Sequence, residues 1–127
     1  MPIPYPANAR LSLVDLEDVA TAAATVLTEP GHAGATYELV GTKALSQNEI
    51  ATILSRRLGR PVRAEQIPLE TWQRQARAAG LGEYQVDTLT KMFLYYAKFS
   101  FQGNPGVLGW LLGRPPTPFA DFVERSK

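Results

Sequence analysis

Residues 11–63 switch repeatedly between two periodicities, and this constrains the chain more than any other feature. A-R-L-S-L-V at 9–14 has strand composition. The stretch 16–28 then changes to helical spacing, with Leu16, Val19, Ala20, Ala23, Val26 and Leu27 along one side and Asp15 or Asp18 placed to cap its first turn. E-P-G-H-A-G at 29–34 is a turn cluster. A-T-Y-E-L-V at 35–40 returns to strand composition, with Tyr37 and Leu39 on one face. Strands alternating with helices over so short a span predict an α/β chain.

The next helix announces both of its ends. Ser46 precedes Glu49 by three residues, the spacing of a reciprocal capping box, and Ile50, Ile53, Leu54 and Leu58 follow at helical intervals. Gly59 supplies a left-handed stop and Pro61 blocks continuation. P-V-R-A-E-Q-I reads as a further short strand ending at Pro68. Beyond it the pattern is helical: Leu69, Trp72, Ala76 and Ala79 form one stripe closed by Gly80. Val86, Leu89, Met92, Phe93, Tyr96 and Phe99 then mark a long helix from Glu83 to about Phe101. N-P-G at 104–106 ends it. V-L-G-W-L-L makes a short apolar turn or helix, and Thr117 opens a last helix with Phe119, Phe122 and Val123 facing inward. The expected architecture is a mostly helical lobe with a few short strands.

The length suits one domain over residues 1–127, with no internal repeat, low-complexity tract or linker. A net charge of +1 removes the electrostatic footprint of a nucleic-acid binder. L-S-Q-N-E-I-A-T-I-L-S-R-R-L-G-R invites a helix-turn-helix reading, but a strand follows Pro61 where a second helix is required. Arg56, Arg57, Arg60 and Arg63 are therefore expected at a solvated helix end, where cations suit the dipole. The chain has no cysteine, which rules out disulfides and thiolate chemistry and agrees with a cytoplasmic location. No apolar run is long enough for a membrane span. M-P-I-P-Y-P-A-N-A-R lacks the pattern of a signal peptide, and its three early prolines predict an extended arm.

Three segments carry a family resemblance: V-D-L-E-D-V-A-T-A-A-A-T-V-L-T at 14–28, A-T-Y-E-L-V-G with L-S-Q-N-E-I-A at 35–51, and L-G-R-P-V at 58–62. L-L-G-R-P-P-T-P-F-A-D-F-V at 111–123 echoes the last. In this order they resemble the C-terminal, substrate-side region of NmrA-like atypical short-chain dehydrogenase/reductases. The resemblance implies part of a Rossmann-type NAD(P)-binding protein without its nucleotide-binding half. It implies NAD(P) as the cofactor of the full-length family, with reductase activity or redox sensing. It also implies a chain inactive alone, associating with itself or with a nucleotide-binding partner chain.

The departures limit what the chain carries. Glycines 31, 34, 41, 59, 80 and 82 do not make the closely spaced trio of a dinucleotide loop, so no cofactor-binding residue is assigned. The family's Tyr-x-x-x-Lys pair is missing: Tyr95 and Lys98 are three apart, with Leu94 where the tyrosine belongs. No catalytic residue is assigned either. His32, the single histidine, sits in a turn with no partner cluster and is expected as a surface-loop residue. Asp15, Glu17 and Asp18 are explained by capping and solvation, and no spacing suggests a metal. What remains is aromatic. Trp72, Tyr84, Phe93 and Tyr96 are expected to line an apolar wall for a flat or quinone-like small molecule. The alternative is a non-enzymatic interaction or regulatory module that docks on a partner chain.

Overall fold

A computed structural model describes residues 1–126. About half of them are helical, in α1 (Leu16–Thr28), α2 (Gln47–Leu58), α3 (Leu69–Ala78), α4 (Glu83–Phe99), α5 (Gly106–Leu112) and α6 (Phe119–Arg125). The strands are pairs of residues: β1 (Pro2–Ile3), β2 (Arg10–Leu11), β3 (Leu45–Ser46) and β4 (Glu65–Gln66). The chain divides into two compact units. The first takes Met1–Leu11 and Leu45–Phe101; the second takes Ser12–Ala44 and the stretch from Gln102 onward.

In the first unit, β1 runs parallel to β4, and β2 runs antiparallel to β3. The N-terminal arm is extended and paired at Pro2–Ile3: Ile67 N–H donates to the Ile3 carbonyl at 2.8 Å, and Ile3 is buried. The capping box forms as its spacing predicts. The Ser46 N–H donates to Glu49 Oε2 at 2.8 Å, and Glu49 N–H donates to Ser46 Oγ at 3.3 Å. α2 ends on Gly59 with φ of 62°, a conformation that costs glycine little. α4 stops at Phe99, two residues short of the expected end. There the chain reverses at Ser100, whose hydroxyl accepts the Arg10 N–H, and Phe101 bridges to Leu11. The core gathers Tyr5, Ala9 and Leu11 against Phe93 and Tyr96.

In the second unit, α1 packs on α5, with Ala22, Leu108 and Leu111 buried and Val26, Tyr37 and Leu39 around them. The inward face of α1 differs from the expected stripe. Leu16 and Leu27 are 77% and 84% exposed, and the buried positions are Asp18 and Ala22. A carboxylate can take a core position when every lone pair it hides is answered, and here Thr117 and Arg114 answer them. Asp15, not Asp18, is the cap of α1. Residues 35–40 have strand composition but join no ladder, because a strand exists only beside a partner and neither sheet reaches them. On α6, Val123 is buried whereas Phe122 is 40% exposed. No helix among the described residues is long and apolar enough to cross a membrane.

Candidate functional site

The first unit brings three of the four expected aromatic residues together. α3 carries Trp72; α4 carries Phe93 and Tyr96. Trp72 meets Phe93 edge-on with centroids 4.8 Å apart. Gln73 Nε2 donates to Thr90 Oγ1 at 2.9 Å and pins α3 against α4. Tyr84 stands outside this group, 83% exposed in the first turn of α4. It precedes Phe93 by nine residues, a rotation of about 180° around the helix, so the two cannot share a face.

Tyr5 completes the cluster, and the sequence reading missed it. Its ring stacks on Phe93 at 5.6 Å and meets Tyr96 edge-on at 5.8 Å. The available signal was the alternation of Ile3 and Tyr5 between prolines, which fits a strand with one buried face. Burial raises the Tyr5 pKa above its ordinary value, the neighbouring Tyr96 adds to this, and a hydrogen bond with Gln47 opposes it. Tyr5 therefore remains a neutral phenol at physiological pH. Tyr5 is buried, and the half-buried rings of Trp72, Phe93 and Tyr96 are what the cluster presents, chemistry suited to ring contact rather than to moving protons.

The residues weighed for chemistry have other tasks. Lys98 Nζ lies over the Phe99 ring, 4.9 Å from its centroid, while the Tyr95 ring packs on Phe99. His32 is half-buried and does have partners: its Nδ1 lies 2.7 Å from the Tyr37 hydroxyl, and its ring contacts Trp110. Asp18 is buried rather than solvated. Burial alone would push its pKa up. The Thr117 N–H at 2.6 Å, Arg114 at 2.6 Å and the Thr117 hydroxyl at 3.0 Å outweigh that and hold it below the ordinary carboxylate value. A carboxyl kept ionised in this way is a clamp, not a general acid. Asp15 accepts the Glu17 N–H and an Arg125 bond. Among the described residues no three or more metal-ligating side chains come together.

A dinucleotide needs N–H groups at a helix start to hold its pyrophosphate. Here the starts of α1 and α2 are closed by their own side chains. Asp15 caps α1, with Glu17 and Asp18 in its first turn, and the Ser46/Glu49 box fills α2. Glu70 and Glu83 put negative charge in the first turns of α3 and α4.

Comparison with known proteins finds NAD(P)H-linked reductases among those this chain resembles. The NmrA-like family matches residues 1–121, and the chain belongs to that family. The NAD(P)H azoreductase of Xenophilus azovorans is 32% identical over 115 residues, 91% of this chain and 40% of that protein. The structure of a Citrobacter triphenylmethane reductase complexed with NADP(H) matches with a TM-score of 0.83 and 28% identity, covering 99% of this chain and 44% of that one. An NADPH-dependent quinone oxidoreductase from Escherichia coli matches with a TM-score of 0.81 and 26% identity, covering 96% and 45%. The chain thus spans about two fifths of the length of the curated relatives it matches.

Proposed function

We propose that residues 1–127 act as one substrate-side domain, the substrate-binding portion of an NmrA-like NAD(P)-dependent reductase or redox-sensing protein in the cytoplasm, inactive by itself. The observation that carries this reading is the convergence of Trp72, Phe93, Tyr96 and Tyr5 in a chain that matches NAD(P)H-linked relatives. The exposed ring of Tyr84 is the outermost of the proposed contacts. A flat or quinone-like small molecule would be held by ring contact with phenol hydroxyls at its edge. The helix starts described above support a cofactor held elsewhere than by these residues.

The test is a pair of titrations on the purified chain. A quinone should quench Trp72 fluorescence saturably in a Trp110→Phe background, and NADPH should give no calorimetric isotherm even at millimolar concentration. Absence of quenching removes the substrate-side reading. A micromolar NADPH isotherm removes the division of labour.

A second reading, a docking module without chemistry, is favoured by one observation. Residues 35–40 join no ladder, and α1 turns Leu16 and Leu27 outward. Such a surface suits a nucleotide-binding partner chain or a second copy. Light scattering across a dilution series distinguishes these: a dimer supports self-association, and a strict monomer leaves the partner chain.

A further inference from the structure

The second unit contains a cavity that shares no residue with the aromatic cluster. Its volume is about 170 Å³, and it is lined by residues 13–15, Thr42, Thr117, Phe119 and Phe122. One wall depends on Gly41. A Cβ there would lie 1.8 Å from the Leu13 carbonyl oxygen, so only glycine lets the backbone carrying Thr42 come so close to Leu13 and Val14. The lining also includes the stacked pair Phe119 and Phe122, with centroids 6.1 Å apart and planes 27° from parallel. Val14 and Phe122 are exposed, apolar surface that an occupant would cover.

The polar side chains of the lining are Asp15, Thr42 and Thr117. The Asp15 side chain is 3% exposed, tied by the Glu17 N–H and by Arg125. A carboxylate has about four acceptor positions, so lone pairs remain after those two bonds. The Thr117 hydroxyl gives its proton to Asp18, which leaves its oxygen as an acceptor only. Thr42 adds a hydroxyl whose proton can turn to suit either kind of partner.

We propose that this cavity binds a single-ring aromatic molecule bearing a hydrogen-bond donor, such as a phenol, a hydroquinone or an aromatic amine. The volume sets the size: an apolar cavity of roughly 150 Å³ accommodates one benzene, so this one takes one ring and one polar substituent. The acceptors set the chemistry, since a donor answers Asp15 or Thr117, whereas a ring carboxylate brings no donor to them and Arg125 over the Phe122 ring is already paired with Asp15. The site stands on its own geometry and does not depend on the reductase reading.

The experiment is a titration of the ¹⁵N-labelled 127-residue chain followed by amide shifts. Phenol and aniline at low millimolar concentration should move the amides of Leu13, Thr42, Phe119 and Phe122 saturably. Toluene has the shape of phenol without the donor and should bind about tenfold more weakly, the lower worth of one hydrogen bond to a charged acceptor. Benzoate, which offers no donor, should bind more weakly than phenol. Asp15→Asn keeps the shape and should reduce the preference for phenol over toluene. Phe122→Leu, at an exposed position, trims the wall and should weaken phenol and toluene alike, which keeps the test sound if the first variant fails to fold. The proposal is overturned if no shift saturates, if toluene or benzoate matches phenol, or if the shifts centre on Tyr5, Trp72 and Phe93.

Discussion

The two units reach stability by different routes. The first adds local chemistry to its pairing of β1 with β4 and the bond from the Arg10 N–H to the Ser100 hydroxyl: a capping box closed within four residues, a glycine stop, and helices α3 and α4 joined by a short turn. Its aromatic rings close over one another. The second relies on long-range bonds. Asp18 joins α1 to Arg114 and Thr117 across 96 and 99 residues, and Asp15 joins Arg125 across 110. Among its described residues the largest fully buried side chain, Leu108, comes from a seven-residue helix. A unit with so little of its own core is sensitive to the loss of any one element.

That contrast is broken most directly at Leu108. Leu108→Ala should cost about 3.5 kcal/mol, through lost transfer energy and the cavity left behind. Urea denaturation measures it. Amide exchange should accelerate more at α1 and α5 than at α2 and α4. Equal acceleration in both units would mean that they do not differ in the way their cores suggest.

Next in size is Asp18→Ala, at about 2.5 kcal/mol. Two bonds from Thr117 to a charged acceptor are lost, and the discount reflects Arg114, which is half-exposed and can turn to water. Asp18→Asn should cost less, since it still accepts the Thr117 N–H. If alanine and asparagine are equally tolerated, Asp18 is not the clamp of this unit.

These two cases also show what the sequence discloses. Ser46 and Glu49 were legible because cap and partner lie three residues apart, within reach of a local rule. Asp18 was read as capping or solvated because its partners lie at the far end of the chain, where no periodicity points. Residues 35–40 carry the composition of a strand, but composition does not supply the neighbouring strand. In the candidate site, Trp72, Phe93 and Tyr96 were found through helical spacing. Tyr5 was missed because its contacts depend on the pairing of β1 with β4.

A smaller effect tests the local chemistry of the first unit. Ser46→Ala should lower stability by about 1 kcal/mol, the usual worth of an N-cap side chain. It removes the acceptor for Glu49 N–H and the hydroxyl that donates to Glu49 Oε2 at 2.9 Å. An unchanged denaturation midpoint would show that the cap contributes nothing.

The smallest expected effect is the acid response of Glu49. Its pKa is lowered from 4.5 to about 2, first by the Ser46 N–H, then by the Ser46 hydroxyl and by Arg10. A depressed folded-state value means the unfolded chain binds the proton more readily. The contribution of Glu49 is therefore complete above pH 4.5 and is lost as the pH falls towards 2. Glu49 and Arg10 are both partly exposed, so solvent screens the pair and the loss should be modest. Glu49→Gln should be less stable than the parent at neutral pH, and that gap should close across the acid window. Asp18, also depressed, is present in both proteins, so a shared acid sensitivity should survive in the second unit. Denaturation midpoints at intervals from neutral pH into acid decide the point. A gap of constant width would show that Glu49 acts through packing or its box geometry rather than through its charge.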